Sequence, residues 1–225
     1  MSTKMASEQQ AADGRVIGAR ARATRRRLLD ETARFLDSNG VLELKVVDIT
    51  RAIGTSPATF YQYFNDVDDA ILMLAEEAGE DERALVEYFS SDWHAEDGLE
   101  SALDFVDAYR RYWNANRGVL RIRNLKAEEG DRRFRAVRRR ASVPMVEAMA
   151  AMVRNGIEAG RLSRSLDPFA TGAAMLAMLE RLLSYQVGLG RAGSSVSDLR
   201  STLATVLHQT LAAPHLPSAG LPDRA

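Results

Sequence analysis

Apolar residues recur at spacings of three and four from about residue 24 to residue 212, and no stretch alternates with period two for long enough to make a convincing strand. That periodicity confines the chain to an all-α architecture. A first helix, over about 24–38, buries Leu28, Leu29, Thr32, Ala33, Phe35 and Leu36, with Asn39-Gly40 as its stop. A short helix over about 46–53 ends at Gly54. Ser56 then stands at an N-cap and Pro57 at the first helical position, where its missing N–H costs nothing, so a second short helix is predicted over 57–64. Asn65-Asp66 restarts the chain into a long helix over about 67–88, with Asp68 and Asp69 favouring its positive end. Further helices are predicted over about 98–114, 117–127, 131–158, 168–188 and 195–212, parted by Gly98, Gly118, Gly130, Gly160 and Asp167-Pro168.

With 225 residues, 46% of them apolar, the chain can form one large domain or a small module joined to a larger one. The absence of cysteine excludes disulfides, thiolate zinc sites and cysteine nucleophiles. The opening MSTKMASEQQAADGRVIGAR has no apolar signal-peptide core, and nowhere do about 18 apolar residues run together, so a cytoplasmic protein that does not engage a membrane is expected. The net charge of −1 conceals an asymmetry: residues 1–64 hold ten Lys or Arg against seven acids, and residues 66–100 thirteen acids against the single base Arg83. One end is thereby suited to a polyanion and the rest is not.

Two short helices joined by a tight glycine turn make a helix-turn-helix, whose second helix enters the DNA major groove. Ile49, Ile53 and Phe60 can close a small core with Leu28, Phe35 and Leu36, which leaves Thr59, Tyr61 and Tyr63 of the run GTSPATFYQYF pointing elsewhere. Their hydroxyls suit phosphate oxygens. Arg15, Arg20, Arg22, Arg25, Arg26 and Arg27 follow one another without an intervening acid. Such a cluster is either a solvated face or an arm that neutralises phosphates, and its place beside the helix-turn-helix favours the arm, with Arg22, Arg25 and Arg26 as contacts.

The run from Asp48-Ile49 through Gly54-Thr55-Ser56-Pro57-Ala58-Thr59-Phe60-Tyr61-Gln62-Tyr63-Phe64 resembles the signature of the tetracycline-repressor (TetR) family of bacterial regulators, closely over about residues 24–75. The resemblance implies that Pro57, Ala58 and Gln62 face base edges and that Thr59, Tyr61 and Tyr63 face phosphates. Two positions depart from it. Val67 stands where the family usually has a phosphate-anchoring lysine, and Leu44-Lys45 where a capping threonine is common, so Lys45 is expected to make a phosphate contact of another kind. The resemblance further implies a homodimer on a palindromic operator in double-stranded DNA, and a helical body hollowed around a small effector. Within that body the last two long helices make the dimer, with Ala173, Ala174, Ala177, Leu182 and Leu203 as the expected self-complementary surface.

Other features carry less. Gly188-Leu189-Gly190-Arg191-Ala192-Gly193 matches the letters of a dinucleotide fingerprint but follows a helical apolar run, and no acid stands about 20 residues on, so it is read as a helix-ending loop. His94, His208 and His215 are scattered, and neither a metal site nor a catalytic grouping can be assembled; no cofactor is expected. Arg132, Arg133, Arg135, Arg138, Arg139 and Arg140 are punctuated by Phe134 and Val137 at helical spacing, which favours a solvated face pairing with the acids of residues 76–82 over a second DNA site. Phe105, Tyr109, Trp113, Met145, Met149, Met152, Met175 and Met178 recur at three and four, either as plain core or as the lining of a pocket for a lipophilic effector, methionine being common where varied apolar guests are met.

These readings give a transcriptional regulator with a basic arm over residues 1–19, a DNA-binding head over 20–66, a ligand-binding and dimerisation body over 67–212 and a tail over 213–225. A repressor released by its effector is the expected role. An activator of the same fold, and an all-α enzyme or cofactor-binding bundle, are the alternatives.

Overall fold

The computed structural model describes residues 18–39 and 44–212, and no strand occurs among them. In chain order the helices are α1 (Ala19–Asn39), α2 (Val46–Ala52), α3 (Pro57–Tyr61), α4 (Val67–Ala84), α5 (Gly98–Glu128), α6 (Arg132–Glu158), α7 (Pro168–Ser184), α8 (Gln186–Arg191) and α9 (Val196–Leu211). A 3₁₀ stretch, Leu85–Ser90, follows α4. Two compact units result, one taking the chain up to Ala78 with Asn116–Arg138, the other Gly79–Ala115 with the chain from Arg139 on. Among the described residues no helix is long and apolar enough to cross a membrane. The basic arm's first residues and the C-terminal tail lie outside the described residues, as does Gly40, the expected stop of the first helix.

In the first unit, Leu28, Leu29 and Leu36 of α1, Ile49 of α2, Phe60 and Phe64, Ile71 and Leu74 of α4, Val119 and Ile122 of α5, and Phe134 of α6 form one buried cluster. Burial of these side chains orders helices as short as α2 and α3, which are far below the length at which an isolated helix holds in water. Ile53 and Tyr63 pack against the cluster from its margin, and Phe35 is half-buried.

Several element boundaries differ from the sequence expectation. α1 begins at Ala19, a turn early, because Ala and Arg are strong helix formers. Helices 98–114 and 117–127 are a single helix, α5, in which Gly118 is no break. Its N–H donates to Asp37 Oδ1 at 2.9 Å, and a Cβ at this position would lie 2.8 Å from the Asp37 backbone nitrogen, so glycine is needed for the close approach of α1. The helix expected over 168–188 ends at Ser184, and α8 follows after Tyr185. Gly188 and Gly190 of the fingerprint-like run therefore sit within α8 rather than in a loop, and Gly193, at φ 98°, turns the chain after it. Leu203, expected on a self-complementary surface, is only 1% exposed within its own chain and is unavailable to a second copy.

Candidate nucleic-acid interface and the helical body

The turn between α2 and α3 is set by Gly54, whose φ of 67° lies in the left-handed region that a side chain disfavours. Thr55 N–H closes it by donating to Thr50 O at 2.9 Å. Ser56 caps α3: its Oγ accepts from Thr59 N–H at 3.3 Å, and Pro57 occupies the first helical position as expected. Phe60 is fully buried, 5.2 Å from the Phe64 ring. With that face pinned, Pro57, Ala58 and Gln62 are exposed, Tyr61 is 54% exposed and Thr59 is half-buried beside the Ser56 hydroxyl. Tyr63 is half-buried against the core, which brings it less into solvent than Tyr61. Lys45 is exposed at the N-cap position of α2, where no side chain caps the helix.

The arginines of α1 are placed differently from a solvated arm. Arg25 is only 9% exposed, with its guanidinium 5.7 Å from the centre of the Phe64 ring. Burial lowers its pKa from the ordinary guanidinium value, with Glu77 acting in the opposite sense. Arg26 is held at 2.7 Å by both Asp30 and Glu77. Burial pulls its pKa down, but these two carboxylates outweigh it and the net shift is upward. Arg27 donates to Ile53 O at 2.7 Å, supplying a partner to a carbonyl at the end of α2. Arg25, Arg26 and Arg27 thus brace the head, and Arg22 is exposed near the start of α1. The signal was present: position 25 lies on the stripe of Leu28, Leu29, Thr32 and Leu36. Of the second basic run, Arg133 reaches Asp69 and Asp131 at 3.1 Å.

In the second unit α5 presents Phe105, Tyr109 and Trp113 at helical spacing, all buried. Phe105 stands 4.7 Å from Phe89 and 5.9 Å from Tyr109, ring centre to ring centre. Met145, Met149 and Met152 of α6 are buried as well, whereas Met175 and Met178 of α7 are half-buried. α7, α8 and α9 pack on one another. Arg200 of α9 donates to Asp107 of α5 at 2.7 Å and Gln186 of α8 to Asn114 at 2.6 Å, fixing both helices along α5. His94 and His208 meet the carbonyls of Ala212 and Trp93 at 2.5 and 3.1 Å.

Residues 85–217 match the profile of the tetracyclin repressor-like C-terminal domain. The chain belongs to the TetR family of transcriptional regulators. Its helix-turn-helix, read independently from residues 46–64, lies outside the matched segment. No curated protein matches the sequence. Solved structures share the fold of this TetR-family chain: a regulator of the family from Rhodococcus sp. has a TM-score of 0.63 at 23% identity, over 84% of this chain and 100% of that one. The fatty acid degradation regulator FadR from Bacillus halodurans gives 0.59 at 18% identity, over 88% and 96%. FadR from Bacillus subtilis, in complex with stearoyl-CoA, gives 0.61 at 15% identity, over 84% and 99%.

Proposed function

We propose that this TetR-family protein is a homodimeric repressor that reads a palindromic operator through α3 and leaves it when a small lipophilic effector enters the helical body. The observation that carries the reading is the two-sidedness of α3: Phe60 is fully buried while Pro57, Ala58, Tyr61 and Gln62 stand outward. A helix of five residues contacts only a few base pairs, so two copies are required, on half-sites about one DNA turn apart, roughly 34–36 Å, or a multiple of it. Exposed Ala174 and Ala177, half-buried Ala173 and Leu182, and the exposed rings of Phe169 and Tyr185 give α7 an apolar outer face for a second copy.

In this reading Pro57, Ala58 and Gln62 meet base edges, and Thr59, Tyr61, Tyr63, Lys45 and Arg22 meet phosphates. The effector is lined by the aromatic stripe of α5 and the methionines of α6 and α7, surroundings that favour an acyl chain or a ring system over a sugar phosphate. Stearoyl-CoA, held by the Bacillus subtilis FadR, is a reasonable first compound to screen. To empty the operator almost completely, the effector must favour the DNA-free conformation by about 5.5 kcal/mol.

A gel-shift titration with DNA from upstream of the gene tests the reading. Gln62→Ala is expected to relax sequence preference by about 1–3 kcal/mol while random DNA binds as before, and Thr59→Ala to weaken both alike. Failure to shift any DNA, or a monomer at micromolar concentration by light scattering, rejects it.

A further inference from the structure

The two tryptophans of the second unit are equally buried but differently served. Trp93 is 0% exposed and its Nε1 donates to Tyr88 O at 3.0 Å. Trp113 is 2% exposed, and its fully enclosed Nε1 has no acceptor among the described residues. Its neighbours in sequence are provided for: Tyr112 donates to Glu82 at 2.9 Å, and Asn114 accepts from Gln186. One turn earlier on α5, Arg110 repeats the pattern, with an enclosed Nε that meets no acceptor and an Nη2 that stands 3.6 Å from Asp107. Asp107 in turn is held at 2.7 Å by Arg200, so one carboxylate serves two guanidinium groups and the cluster keeps an excess positive charge. Residues three apart on a helix are surface neighbours. Buried N–H groups in folded proteins nearly always have a partner, so two donors one turn apart that meet no acceptor among the described residues leave a place for one that a guest can fill.

We propose that Trp113 Nε1 and Arg110 form the polar anchor of the effector site, and that the effector is an amphiphile whose apolar body ends in a carboxylate or an equivalent anionic acceptor. The proposal rests on the effector site described above and names the chemistry of its guest. Trp113 lies in the stripe that begins at Phe105 and Tyr109, so the anchor terminates the apolar lining on the same helix. A purely apolar guest would leave both donors unsatisfied, and a cation would be repelled by the guanidinium pair.

Decanoate, decylammonium and the uncharged probe N-phenyl-1-naphthylamine, titrated against the full-length protein, test the anchor and the site separately. Decanoate is expected to bind, decylammonium to fail, and Trp113→Phe to weaken decanoate about tenfold, as loss of one charge-assisted hydrogen bond does, and to weaken decanoate more than it weakens the naphthylamine. In a Trp93→Phe background, where Trp113 is the sole tryptophan, decanoate is expected to shift the emission to longer wavelength. Arg110→Met gives the same loss of decanoate binding and serves should Trp113→Phe not fold. If the naphthylamine binds while decanoate is indifferent to both substitutions, or while decylammonium binds equally well, the anchor is overturned and the apolar site stands. Binding of neither decanoate nor the naphthylamine overturns the site and the anchor together.

Discussion

The segment from α3 to Phe64 and the buried stripe of α5 draw on the same kinds of side chain to opposite ends. Four aromatic residues crowd into positions 60–64, and four more, Phe105, Tyr109, Tyr112 and Trp113, follow one side of α5. On α5 all four are at most 7% exposed. Around α3 the set divides: Phe60 and Phe64 are buried, Tyr63 is marginal and Tyr61 is 54% exposed. Length explains the difference. α5 has 31 residues and can turn a whole face inward, whereas α3 has five and depends on a pair of buried rings and a cap to exist at all. What the short helix does not need for its own folding is left facing solvent, and that remainder is the surface on which the proposed DNA contact rests.

The strongest test breaks the buried half of the pair. Phe60→Ala removes a fully enclosed ring and is expected to cost about 3–5 kcal/mol. Because Phe60 joins α3 to the cluster of α1, α2 and α4, the head should lose its order and DNA shifting should disappear with it. Chemical denaturation and a gel shift on the same preparation check both. A variant that keeps wild-type stability would show that α3 is held by something other than Phe60.

The next effect concerns the cap. Ser56 Oγ accepts from Thr59 N–H without a reciprocal acid and also meets the Thr59 hydroxyl at 3.2 Å, so the cap at the start of α3 rests on this serine. Ser56→Ala is expected to cost about 1 kcal/mol, within the usual range for a lost N-cap. Its weight on DNA affinity should exceed that figure's share of global stability, since fraying begins at the residues that face outward. Denaturant midpoints paired with binding curves check this, and equal losses in both would mean that α3 does not fray separately.

The contrast also marks what the sequence made legible. Periodicity was enough for the all-α fold, and Ser56-Pro57 and Asp167-Pro168 marked the starts of α3 and α7 to the residue, because a cap and a proline act locally. Gly118 misled, since a glycine that ends a helix and one that admits a crossing chain look identical until the crossing chain, here Asp37 of α1, is in place. Arg25 misled for a related reason. It stands in a basic run whose charge outweighed its place on the apolar stripe, and its partner, the ring of Phe64, lies far along the chain. Helical periodicity was enough for the burial of Phe105, Tyr109, Trp113, Met145, Met149 and Met152, but the unpartnered nitrogen of Trp113 was not legible, because satisfaction of a buried N–H depends on every surrounding element at once.

The smallest expected change in stability falls on Tyr61, and it separates folding from recognition. At 54% exposure its ring adds little to the core, and among the described residues its aromatic contact is an edge-on one with Phe60 at 5.8 Å. Tyr61→Ala is therefore expected to alter stability by no more than about 0.5 kcal/mol, as ordinary surface substitutions do. Operator and random DNA should nonetheless both bind more weakly, because a hydroxyl facing phosphate positions the protein without reading bases. Phe60→Ala cannot make this distinction, since it removes the helix and the interface together. Tyr61→Phe refines it further: the ring stays, the hydroxyl goes, and a loss of affinity as large as that of alanine assigns the contact to the oxygen. Should Tyr61→Ala bind both DNAs as wild type does, the exposed ring is surface without a partner and the outward face of α3 is narrower than Pro57, Ala58 and Gln62 with their tyrosine neighbour.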